Sequence, residues 1–134
     1  MADGLITVPS QFAFKDTSDR LDAEIKARGM TLFSRIDHSG GAAQVGMPLR
    51  PTELFIFGNA RGGTPLMLTS QAVGIDLPLK ALVWEDDKGK TWVSYNQPTW
   101  ITVRHGLDTT AAGIAAGLDA AIAAVVGKAT GQQA

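Results

Sequence analysis

The chain alternates between short runs of β-branched and aromatic residues and stretches whose apolar positions recur at helical spacing. Leu5 to Val8 is a β-forming run stopped by Pro9-Ser10, which predicts an N-terminal strand. Asp16, Thr17 and Ser18 then offer N-cap oxygens ahead of Leu21 and Ile25, and Arg28-Gly29 supplies a cationic last turn with a glycine just past it, so a helix is expected between them. Thr31 to His38 reads as a strand covered on one side, with Leu32 and Ile36 on one face and Thr31, Arg35 and Asp37 on the other. Phe33 breaks that alternation. Ser39-Gly40-Gly41 ends the strand, Ala42 to Val45 has the makings of one helical turn, and Gly46 and Pro48 interrupt the backbone.

Thr52 to Phe57 predicts another strand, followed by a glycine-rich loop from Gly58 to Thr64. Thr64 as N-cap and Pro65 at the first helical position predict a helix from Leu66 to Val73, closed by Gly74. Leu79 to Glu85 and Thr91 to Asn96, joined by Asp86-Asp87-Lys88-Gly89-Lys90, form the clearest hairpin signal. Trp100 to Val103 reads as a short extended piece. A last helix is expected from Asp108 or Thr109, with Ile114, Leu118, Ile122 and Val125 facing the sheet. The obligatory hairpin and the one-faced strands favour an α+β domain of two layers, a mostly antiparallel sheet with helices packed on one face. Residues 1–127 are expected to form this single domain and 128–134 a frayed tail.

Composition narrows the functions open to such a domain. The chain has 134 residues, enough for one core, and 12 Lys and Arg against 13 Asp and Glu give a net charge of -1. No global field draws in a polyanion, so nucleic-acid binding is not expected. Cysteine is absent, which removes disulfides, thiolate metal sites and cysteine nucleophiles and fits a reducing, cytoplasmic setting. The N-terminus lacks the basic start and apolar core of a secretory signal. Ile114 to Val126, interrupted by Gly117 and Asp119, falls short of the ~20 residues that span a bilayer, so no membrane association is expected.

Arg50-Pro51-Thr52-Glu53-Leu54-Phe55-Ile56-Phe57-Gly58-Asn59, then Gly63-Thr64-Pro65-Leu66-Met67, Asp76-Leu77-Pro78-Leu79-Lys80, Trp84-Glu85-Asp86 and Tyr95-Asn96, resemble the domain of unknown function 302 family, also described as TT1751-like. The similarity runs from about Gly4 to Gly106. It implies an α+β fold, often a homodimer, and no established activity. Phe55 and Trp100 are candidate interface aromatics on a small sheet.

Two sets of residues could carry chemistry. Backbone N–H groups from Asn59, Gly62, Gly63 and Thr64 at a helix entry, with Arg50 and Lys80 as cations, suit a small anionic ligand such as a phosphate or carboxylate. The glycines match neither a P-loop nor a dinucleotide fingerprint, and equally serve as a plain turn. His38, Glu53 and Glu85 are the candidates for acid–base catalysis, with Asp37 and His105 as possible partners of His38. Against both stands a purely structural or interaction role, in which Glu53 pairs with Lys80 and Arg50 with Asp76 across the sheet rim. Two histidines without ligand spacing give no basis for a metal, and nothing indicates a cofactor. Ser39 and Ser94 lack a hydrolase motif.

Overall fold

The computed structural model describes residues 2–132 and builds one five-stranded antiparallel sheet with its long helices packed on one side. Its strands are β1 (Leu5–Pro9), β2 (Thr31–Asp37), β3 (Thr52–Gly58), β4 (Leu79–Glu85) and β5 (Thr91–Asn96), in the spatial order β1-β5-β4-β3-β2. All four strand pairs are antiparallel, and β4 and β5 form the expected hairpin. The helices are α1 (Phe14–Ala27), α2 (His38–Gln44), α3 (Ala60–Thr69), α4 (Pro98–Arg104) and α5 (Thr109–Thr130), with a 3-10 helix over Gln71–Asp76.

Alternation along the strands divides the sheet into two unlike faces. Phe55, Phe57, Leu79, Ala81, Val83, Val93 and Tyr95 turn toward α1 and α5 and pack with Leu21, Ile25, Ile122, Val125 and Val126. The opposite face carries Thr7, Ser94, Leu82, Leu54 and Ile36 across one row, with Trp84 and Trp92 stacked beside them at 6.1 Å between ring centroids. No helix covers it. A second apolar cluster around Leu66, Val73, Ile101 and Ala111 joins α3, the 3-10 helix, α4 and α5 below the covered face.

Several local expectations are corrected. In β2, Leu32 pairs with Phe57 but Ser34 pairs with Ile56, so Phe33 is an extra residue in a β-bulge. The bulge reverses the facing beyond it: Leu32 and Arg35 turn to the helices while Ile36 turns to the uncovered face. In α1, Ala13 occupies the N-cap, and Thr17 and Ser18 lie inside the helix, fully buried. Thr17 donates back to the Ala13 carbonyl at 2.9 Å, and Ser18 Oγ is buried without a hydrogen-bond partner among the described residues.

α3 begins four residues before the expected Thr64 cap. Asn59 is the N-cap, its side chain accepting from the Gly62 N–H at 2.7 Å, so the glycine-rich stretch is the first turn of the helix and Pro65 lies within it. Trp100 to Val103 belongs to α4 because Pro98 suits a helix start and Asp119 of α5 accepts from the Thr99 N–H at 3.0 Å and hydroxyl at 2.8 Å. Phe55 is fully buried and Trp100 packs in the second cluster, so neither offers a free aromatic for an interface. At its C-terminal end α5 continues through Ala129 and Thr130, both fully buried, so the chain does not fray at Lys128. Gln133 and Ala134 lie outside the described residues. By length and composition alone α5 is also apolar enough to cross a membrane, and its inward side packs on α1 and α4.

Candidate functional site

A cavity of about 420 Å³ opens where β3 leaves the sheet and α3 begins. Its walls are Met30, Phe33, Met67, Leu77, Pro78 and Leu118, drawn from five different segments, and Arg28 stands on its border. Gly58 has a φ of 152°, a backbone geometry open to glycine, which lets the chain leave β3 beside Pro78. Gly62 permits α3 to approach α5 closely: a Cβ there would sit 3.1 Å from Leu118 Cδ2. At Gly63 an added Cβ would meet Leu77 Cδ1 at an ordinary 3.6 Å, so this glycine leaves open wall instead.

Of the residues expected to hold an anion, Asn59, Gly62, Gly63 and Thr64 line this cavity, whereas Arg50 and Lys80 do not. Arg50 precedes the seven-residue β3 and Asn59 follows it, which separates them by roughly 20 Å of extended chain. Lys80 lies between inward-facing Leu79 and Ala81, so it sits on the uncovered face, where its ammonium donates to the Pro78 carbonyl at 3.3 Å. The amides expected to receive an anion are themselves engaged. Gly62 N–H donates to Asn59 Oδ1, and Gly63 N–H donates to the Asn59 carbonyl at 3.2 Å.

The acid–base candidates do not converge with the cavity. Glu53 accepts from Arg35 Nε at 2.9 Å, and the same guanidinium donates to Asp22 at 3.1 Å and Asp19 at 3.2 Å. This fork, rather than Lys80, is the partner of Glu53. Hydrogen bonding to Glu53 first, opposed by burial, holds the Arg35 pKa above its ordinary value. His38 is exposed and opens α2, while Asp37 caps that helix through Gly40 and Ser39 instead of orienting His38. The Gly40 and Ser39 bonds keep the Asp37 carboxyl below its usual pKa. Glu85 is half-buried near Glu53 at the sheet end remote from Asn59. Asp76 pairs not with Arg50 but with Arg104 and His105.

Sequence reasoning therefore placed the α3 side of the cavity and missed the rest. Leu118 was expected to face the sheet, Met30, Met67 and Leu77 carried no sequence signal of a site, and Phe33, the residue out of step in β2, stands on the opposite wall.

A two-layer α+β domain with one covered sheet face, one bare face and a small apolar cavity at the end of β3 is the class these features define. The chain belongs to the family described as Domain of unknown function DUF302, which matches residues 6–125. A crystal structure of an uncharacterized conserved DUF302 protein from Bacillus stearothermophilus shares the fold, with a TM-score of 0.85 at 21% identity over 96% of this chain and 99% of that one. Two Brucella proteins, from B. suis and B. abortus, each named Fluoride-specific ion channel FluC 1, are 47% identical over 104 residues. That match takes in 78% of this chain but 41% and 38% of theirs, so the chain spans about two fifths of the length of these relatives.

Proposed function

We propose that this domain binds a small organic molecule in the cavity between β3, α3 and α5, with no covalent chemistry of its own. The cavity carries the reading. Its volume falls in the range of small-ligand sites, about 300–1,000 Å³, and it has apolar walls with a few backbone and side-chain polar groups at one side. An enzymatic reading has less behind it, because Glu53 is tied to Arg35 and neither His38 nor Glu85 lines the cavity. Soaking the protein with a fragment library and following amide shifts by NMR tests the proposal. Saturable shifts at Gly62, Gly63 and Thr64 are expected, and a library that moves none of them at millimolar concentration rejects it.

A homodimer formed through the uncovered sheet face is the second part of this reading. Five strands about 4.8 Å apart and roughly 20 Å long give some 500 Å² before side-chain relief, approaching the ~800 Å² per partner of a stable interface. Leu54, Ile56, Leu82, Trp84 and Trp92 make that face apolar, and Lys80 and Lys90, the latter 5.2 Å from the Trp92 ring centroid, bring cations to it. Light scattering at micromolar concentration is expected to give twice the chain mass for the native protein and a monomer for Leu82→Asp. A native monomer would remove this part of the reading.

The Brucella names supply a second setting, a domain that accompanies a fluoride channel on one chain. The apolar walls do not suit hydrated fluoride itself. In that setting the cavity would still take an organic ligand, and titration with fluoride is expected to leave the cavity amides unmoved.

A further inference from the structure

Given the binding role proposed above, we infer that the ligand is an amphipathic organic anion whose apolar body fills the cavity and whose single charged end is held at the border by Arg28. Three observations carry this. The walls formed by Met30, Phe33, Met67, Leu77, Pro78 and Leu118 contain no ionisable group, so only an apolar portion of a ligand gains by entering. The polar side of the cavity is already closed upon itself, since Asn59 takes up the amides of Gly62 and Gly63, and a charged end gains little there. Arg28 is the one ionisable residue on the lining, and it has no carboxylate within 4.0 Å among the described residues.

Arg28 contrasts with its neighbour Lys26, which is matched to Asp22 one turn earlier in α1. As the C-cap residue of α1 it does stabilise the end of that helix, a role any cation fills. Its place on the cavity border adds a planar donor fork able to bind a carboxylate or sulfonate through two hydrogen bonds. Two soft thioethers, Met30 and Met67, face the same space and adapt to ring systems as well as to alkyl chains.

The experiment compares two fluorescent probes with the same aromatic body, anionic 1-anilinonaphthalene-8-sulfonate and neutral N-phenyl-1-naphthylamine. Native protein, Arg28→Ala, Arg28→Lys and Ala121→Phe are titrated with each, the last because Ala121 borders the cavity and a ring there fills it. The sulfonate is expected to bind the native protein at least ten-fold more tightly than the neutral probe, to lose about that factor in Arg28→Ala and to regain part of it in Arg28→Lys. Ala121→Phe is expected to abolish both. If both probes bind the native protein equally and Arg28→Ala changes neither, while Ala121→Phe still abolishes them, the cavity binds ligands but the anion assignment is overturned. If Ala121→Phe leaves both affinities unchanged, the probes sit elsewhere and the binding role of the cavity falls with it. Arg28 is exposed, so its variants are expected to fold normally, as unchanged circular dichroism will confirm.

Discussion

Asp76 Oδ2 lies 2.6 Å from His105 Nε2, joining the 3-10 helix beside the cavity to the residue that ends α4. Arg104 Nη1 reaches both oxygens of the same carboxylate at 2.7 Å. Burial pushes the Asp76 pKa up, but the His105 hydrogen bond and the Arg104 charge outweigh it, and the carboxyl titrates below its usual value. A folded pKa below the unfolded one gives stability that is present above the ordinary carboxylate range and lost as pH falls through it. Thermal stability is therefore expected to fall below about pH 4, with Asp76→Asn flattening part of that slope. An unchanged acid slope in Asp76→Asn would place the acid sensitivity in other carboxylates.

Arg35 is expected to matter for stability rather than for chemistry. It ties α1 to β2 and β3 through Asp19, Asp22 and Glu53, and its guanidinium lies 5.0 Å from the Phe55 ring centroid. Arg35→Met should lower stability by about 1–2 kcal/mol in denaturant unfolding while ligand binding at the cavity persists. Glu53→Gln should do less, since an amide oxygen still accepts from Nε.

Along α5 the cost of truncation should follow burial. Ile122 is fully buried in the main core, so Ile122→Ala is expected to cost about 2–5 kcal/mol. Leu118 is half-buried at the cavity, where space already exists beside it, and Leu118→Ala should cost less, about 1–2 kcal/mol. Equal losses at the two positions in urea unfolding would contradict the cavity beside Leu118.

Ser18 supports a prediction of the opposite sign. Its hydroxyl is buried in α1 with no partner among the described residues, so Ser18→Ala removes an unmet polar group and improves helix propensity. A gain of up to about 1 kcal/mol is expected, read as a higher unfolding midpoint. A loss would reveal a partner for the hydroxyl in solution.

Two glycines should respond differently to alanine. Gly4 has a φ of 74°, and a Cβ there would run into the Trp100 ring, so Gly4→Ala is expected to destabilise strongly, by about 2 kcal/mol or more. Gly63 is helical and its Cβ would make an ordinary contact with Leu77, so Gly63→Ala should stabilise α3 by roughly 0.5–1 kcal/mol while narrowing the cavity. Calorimetric unfolding of the two proteins checks both signs.

What the sequence disclosed was local, and what it withheld was tertiary. The β4–β5 hairpin was legible because its turn is self-contained: Asp86 accepts from the N–H groups of Lys88 and Lys90 within the loop. α4 was not, because Ile101, Thr102 and Val103 favour strands locally and the carboxylate that fixes the helix start, Asp119, comes from α5. In α3 the strong Thr64-Pro65 start signal lost to Asn59, whose cap is completed by glycines that suit contact with Leu118. The site was half legible for the same reason. Asn59 to Thr64 are neighbours in the chain, but Arg50 was grouped with them as if a strand had no length, and Arg28, Met30 and Phe33 reach the cavity only through folding.

The extra residue at Phe33 gives β2 an unusual rule for change. Edge strands ordinarily accept a gained or lost residue more readily than central ones, because only one neighbour must adjust. Here deletion of Phe33 would remove the bulge and restore regular pairing, with Leu32 still opposite Phe57 and Arg35 still opposite Phe55, so the guanidinium would keep its three carboxylates. The same deletion would take Phe33 from the cavity wall. A relative one residue shorter between Thr31 and Asp37 can thus keep the charge cluster in register while its binding cavity is rebuilt.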